Sequence, residues 1–176
     1  MERAYFITIC TQNREHYFGE IVQPQFIAAP NQQKEARLIA ALPGELVENF
    51  WHEIPTQFPY AALGDFVVMP NHIHGILILD KPDEYVQTRL IASPQSKEKP
   101  TAGGFAGNKN PMLNDNISRI IRWYKGRCSF EIRKTNHNFA WQPRFHDHII
   151  KNELEYQRIS DYIVSNPKKW ADDKFH

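Results

Sequence analysis

The sequence predicts an α+β domain built on an antiparallel sheet of order βαββαβ, helices on one face, with one more helix at the end of the chain. Three observations lead there. Runs rich in β-branched and aromatic residues recur at 5–11, 61–69, 72–79 and 145–150, the composition of half-buried strands. The stretches 44–54, 113–134 and 153–166 space their apolar residues at helical intervals. The runs 61–69 and 72–79 are joined by Pro70 and Asn71 alone, which is the length and chemistry of a tight hairpin turn.

Taken in order, Tyr5-Phe6-Ile7-Thr8-Ile9-Cys10-Thr11 is the first strand. Residues 12–42 are rich in Asn, Pro and Gln and read as loops, with a short strand near 37–40. Leu46, Val47, Phe50, Trp51 and Ile54 make one apolar helix face, and Pro55 is expected to end that helix. After the hairpin, residues 81–111 hold Pro82, Pro94, Pro100 and Pro111 together with Gly103, Gly104 and Gly107. A stretch of this composition is expected to be a flexible insertion within a single domain spanning 1–176. Ile117, Ile120, Ile121, Tyr124 and Cys128 line one side of the next helix, with Gly126 weakening its middle. Pro167 is expected to stop the last helix. The first six elements match the ferredoxin-like pattern, in which the first and third strands are central.

Composition excludes several classes. Cys10 and Cys128 are too few for a disulfide framework and have no metal-type spacing. No apolar stretch reaches the roughly 20 residues that cross a bilayer, and the start of the chain lacks a basic segment followed by an apolar one. The expectation is a soluble cytoplasmic protein with no membrane partner. The net charge of +1 gives little support to nucleic-acid binding. Its distribution gives more: Arg119, Arg122, Lys125, Arg127, Arg133 and Lys134 face the single acid Glu131. That run is either a phosphate-facing stripe or an ordinary solvated helix face.

The residues richest in chemistry are His72 and His74. Strand residues two apart share a face, so two imidazoles leave one side of a very apolar strand together. Imidazole is the commonest nitrogen ligand for divalent metals. The pair reads as two-thirds of a metal site, although a strand-edge His-X-His can also be merely solvated. A third ligand and a reacting group would decide it. The final helix offers both, because Tyr162 and Asn166 are i, i+4 and project from one face. Each also has a plainer use, the tyrosine in a core and the amide at a helix end.

These features fall in one order. The chain opens with Phe6-Ile7-Thr8-Ile9-Cys10-Thr11-Gln12-Asn13-Arg14 and continues with Tyr17-Phe18-Gly19-Glu20-Ile21-Val22. Val68-Met69-Pro70-Asn71-His72-Ile73-His74-Gly75 follows, then the basic helix around Ile121-Arg122-Trp123-Tyr124-Lys125. Trp141-Gln142-Pro143-Arg144-Phe145-His146-Asp147-His148-Ile149-Ile150 and Tyr162-Ile163-Val164-Ser165-Asn166-Pro167-Lys168-Lys169-Trp170 close it. Over nearly its whole length the chain resembles the single-tyrosine HUH endonucleases, and more closely the REP-associated tyrosine transposases.

The resemblance implies a metal-dependent endonuclease and strand transferase acting on single-stranded DNA that carries a hairpin. His72, His74 and the Asn166 amide oxygen would hold Mg²⁺ or Mn²⁺, which polarises and orients the scissile phosphate. Tyr162 would attack the phosphorus, leaving a 5′-phosphotyrosine link and a free 3′-OH. Since a free phenol has a pKa of about 10, the nucleophile needs activation. His148 is a candidate proton acceptor or orienter, with His146 a weaker one. Tyr156 and Tyr124 are rival nucleophiles. Arg119, Arg122, Lys125 and Arg144 are candidate phosphate contacts. The chain departs from the pattern in its low net charge, in the insertion at 81–111, and in using Asn where insertion-sequence relatives often use Gln. Relatives act as monomers or as homodimers that exchange the Tyr helix, and both are open here. A histidine-triad hydrolase would need a third alternating His, but position 76 is Ile76. The remaining alternative is a non-catalytic ferredoxin-like nucleic-acid (hairpin) binding module.

Overall fold

The computed structural model describes residues 3–22, 37–80 and 117–173. Its main sheet is antiparallel, with strand order β4-β5-β1-β6. The strands are β1 (Arg3–Cys10), β4 (Ala61–Met69), β5 (His72–Leu79) and β6 (His146–Ile150). The two strands expected to be central, β1 and β5, are central. The insertion expected at 81–111 lies outside the described residues.

The hairpin β4–β5 turns on Pro70 and Asn71, with Met69 opposite His72. Along β1 and β5, Phe6 faces Ile76, Thr8 faces His74 and Cys10 faces His72. Strand alternation therefore sends Phe6, Thr8, His72, His74 and Ile76 to one side and Ile7, Ile9, Ile73 and Leu77 to the other. On that second side α1 (Leu42–His52) and α3 (Ile117–Ile132) close a core containing Trp51, Phe50, Ile120, Tyr124 and Cys128. Gly75 is needed there, because a Cβ on it would run into the Trp51 indole.

The polar side is covered by α4 (Glu153–Ser165). Ile159 and Ile163, one turn apart, pack with Ile76 and Ile150. Asn152 caps the helix by accepting from the Glu155 N–H at 2.9 Å. A register shift between Leu63 and Phe66 interrupts the pairing of β4 with β5. There the Ser160 hydroxyl donates to Asp65, and the Tyr156 hydroxyl sits against Gly64, where a side chain would collide with it.

Four expectations are corrected. The loop region before α1 contains a small hairpin, with β2 (Gly19–Val22) paired to β3 (Arg37–Ala40); only the second strand had a readable signal. Helix α1 begins at Leu42, two residues early, because Pro43 fits a first turn. For the same reason Pro55 opens the short helix α2 (Ile54–Gln57) rather than merely ending α1. Nor does Pro167 stop the chain from winding: it enters a 3₁₀ segment, Asn166–Asp172, that carries the backbone back toward the sheet. No helix among the described residues is long and apolar enough to cross a membrane.

Candidate active site

His72 and His74 lie on the α4 side of the sheet, 0% and 1% exposed. Their Nε2 atoms are 3.1 Å apart. The opposite nitrogens are held from behind. Asn71 donates through Nδ2 to the Arg14 carbonyl at 3.2 Å, which turns its Oδ1 toward His72 Nδ1 at 2.8 Å. His72 Nδ1 therefore carries the proton, and its Nε2 presents a lone pair to the site. Thr8 Oγ1 sits 2.8 Å from His74 Nδ1; a hydroxyl accepts or donates as needed, so it supports either tautomer. Such backing groups are what orient imidazoles toward a cation. The Arg14 carbonyl reaches Asn71 from a left-handed backbone, φ 58° at Arg14 after φ 56° at Asn13.

Asn166 follows α4 at the start of the 3₁₀ segment and is 1% exposed. Its Nδ2 donates to Asp173 at 3.1 Å. Its Oδ1 is buried with no hydrogen-bond partner, a costly state unless something completes it. Ligand atoms of His72, His74 and Asp173 all lie within 4.8 Å of one another. The donor set of two imidazole nitrogens, an orphaned amide oxygen and a carboxylate suits a divalent cation. The Trp170 ring packs over His72, with centroids 6.0 Å apart, and anchors the 3₁₀ segment on the site.

Tyr162 stands at the rim, 36% exposed. Its hydroxyl is 3.3 Å from His74 Nε2, and its ring meets Phe6 edge-on at 6.1 Å. Burial, and secondarily the Asp173 carboxylate, hold the phenol pKa above its ordinary value, while the Asn166 side chain pulls the other way. The hydroxyl is thus protonated at neutral pH. Because α4 packs on β4 and β5 of its own chain, Tyr162 meets its own chain's histidines.

Two adjoining hollows of about 580 and 680 Å³ share Phe6, His146 and Tyr162 and form one open groove. Its wall includes His148, Arg158 and Lys169 on one stretch and Arg144 and Gln142 on the other. His148 Nε2 is paired with Glu155 at 2.8 Å. The Lys151 N–H and His148 together hold the Glu155 carboxyl below its ordinary pKa.

The structure thus brings together His72, His74, Asn166 and Tyr162, with His148 and Arg144 along the adjoining groove. It does not bring Arg119 and Arg122 there. They border a separate hollow of about 450 Å³ on α3, and α3 packs on the other face of the sheet. The Lys125 ammonium points inward to the Gln142 carbonyl, and burial lowers its pKa. Of the rival tyrosines, Tyr124 is fully buried and donates to the Val47 carbonyl at 3.0 Å, while the Tyr156 hydroxyl lies against Gly64. The sequence reading missed Asp173, Asn71 and Thr8. Asn71 had registered only as a turn residue. Thr8 could be found only from its register opposite His74, and Asp173 carried no local signal at all.

No protein-family model matches the chain. An uncharacterized protein of Haemophilus influenzae is 32% identical over 181 residues, covering 99% of this chain and 86% of that protein. The chain belongs to the family of that protein. A solved structure of a REP-associated tyrosine transposase bound to a REP hairpin superposes with a TM-score of 0.54 at 21% identity, covering 98% of this chain and 70% of that one. The fold is that of a REP-associated tyrosine transposase.

Proposed function

We propose that the chain is a metal-dependent endonuclease and strand transferase for single-stranded DNA bearing a hairpin, with Tyr162 as its nucleophile. The carrying observation is the Tyr162 hydroxyl 3.3 Å from His74 Nε2, at the mouth of a site where Asn166 Oδ1 is buried without a partner. His72, His74 and Asn166 would hold Mg²⁺ or Mn²⁺, which when bound supplies Lewis-acid polarisation of a phosphate oxygen.

The chain's own residues supply the rest. The DNA strand lies in the groove beside Phe6 and His146, with Arg144, Arg158 and Lys169 available to its phosphates. The Tyr162 oxygen forms a bond to phosphorus as the bond from phosphorus to the 3′ oxygen breaks. The phenol gives up its proton, for which His148 is the groove's candidate acceptor, and the departing 3′ oxygen takes one up. The product is a 5′-phosphotyrosine and a free 3′-OH. One phosphodiester replaces another, so a second 3′-OH can reverse the step without ATP.

The test incubates single-stranded hairpin oligonucleotides from the DNA flanking the gene with the protein and Mn²⁺. A covalent adduct on a denaturing gel is expected, mapping to Tyr162 by mass spectrometry. Tyr162→Phe should abolish the adduct and keep hairpin binding, whereas cleavage retained in that variant would remove Tyr162 from the role. Tight hairpin binding with no adduct in the wild-type protein would favour the non-catalytic binding module.

A further inference from the structure

We infer that Asp173 is a direct ligand of the divalent cation, so that the chain presents a His-His-Asp face with the Asn166 amide beside it. The inference rests on the metal reading above and adds a residue beyond the helix that carries Tyr162. Ligands about 2.1 Å from a common ion lie roughly 3–4 Å from one another. The nearest atoms of His72, His74 and Asp173, all within 4.8 Å of one another, already approach that arrangement.

The placement has a physical cause. After Asn166 the 3₁₀ segment folds the chain back, and Trp170 on His72 pins it. The Asp173 backbone N–H closes the segment on the Trp170 carbonyl at 3.1 Å. The Asp173 side chain accepts from Asn166 Nδ2. That bond fixes the amide and leaves Asn166 Oδ1 as the orphaned acceptor. One carboxylate thus orients a neutral ligand and offers charge of its own. Two imidazoles and an amide form a neutral set, whereas Mg²⁺ and Mn²⁺ favour hard oxygen donors and are held chiefly by carboxylates. Asp173 supplies the anionic oxygen that the set otherwise lacks.

The test is Mn²⁺ titration of the DNA-free full-length protein, read as loss of the free-ion electron paramagnetic resonance signal. Asp173→Asn is expected to raise the Kd at least about tenfold, on the scale by which even outer-shell partners matter. Zn²⁺, better suited to imidazole, should lose less. Asp172→Asn, the exposed neighbour, should change neither, and melting temperatures confirm that each variant folds. Equal Mn²⁺ affinity in Asp173→Asn and wild type would overturn the Asp173 assignment while leaving the His pair in place. If wild type binds Mn²⁺ no better than His72→Ala, the metal reading fails, and the Asp173 assignment with it.

Discussion

The two faces of one sheet carry opposite chemistry on the same strands. Toward α1 and α3, Ile7, Ile9, Ile73 and Leu77 are fully buried among Trp51, Tyr124 and other large apolar side chains. Toward α4, Thr8, His72 and His74 are as deeply buried but polar, and the apolar cluster shrinks to a few residues around Ile76 and Ile163. The difference teaches a division of labour. One face supplies the hydrophobic free energy that lets the other keep buried imidazoles and an unpaired amide oxygen. The strands are rigid because of the first face, and the ligands are positioned because the strands are rigid.

The largest expected effect breaks the core face. Trp51→Ala should cost about 3–5 kcal/mol in chemical denaturation, while His72→Ala, equally buried, should cost about 1–2 kcal/mol, mainly from the lost hydrogen bond to Asn71 Oδ1. Equal losses would mean that the faces share the stability. Next, Gly75→Ala puts a methyl into the Trp51 indole from a strand whose neighbours are His74 and Ile76. Overpacking should cost about 1–3 kcal/mol, again read by denaturant midpoint.

A pH scan sharpens the comparison. Tyr124 is fully buried with its pKa raised, and burial also pushes the Cys128 thiol far above its usual value of 9.0. Both stay protonated when folded but ionise when unfolded, so above their unfolded pKa values the unfolded state binds fewer protons. Their stabilisation is complete below about pH 9 and falls as pH rises through 9 to 11, by up to about 1.4 kcal/mol per pH unit for each group. Thermal melts across that range should show the slope, and Cys128→Ser should remove its earlier part. The smallest stability effect belongs to the site face. Thr8→Val should cost about 1 kcal/mol yet weaken Mn²⁺ binding about tenfold by freeing the His74 ring, as the same Mn²⁺ titration would report.

Much of this was legible in the chain. Alternation fixes which residues share a strand face, so the juxtaposition of His72 and His74 follows from their spacing of two. Helical spacing likewise puts Tyr162 and Asn166 one turn apart, and the hairpin follows from a two-residue turn between two apolar runs. These are short-range consequences of backbone geometry, which sequence carries directly. The hairpin β2–β3 was only half legible: both strands have four residues, and the first lies in a stretch whose composition reads as loop.

Tertiary packing alone decided the rest. That Thr8 backs His74 depends on register between strands 66 residues apart in the chain. The separation of Arg119 and Arg122 from the site depends on which sheet face α3 covers, although their spacing on a basic helix reads the same either way. Asp173 reaches the histidines because Pro167 begins a 3₁₀ segment rather than ending the winding, and because Trp170 finds the His72 ring. Local pattern determined the strands, the helices and the ligand pairs within each, whereas contacts between elements distant in sequence have no local signature and were chosen by the packing that buries the most surface.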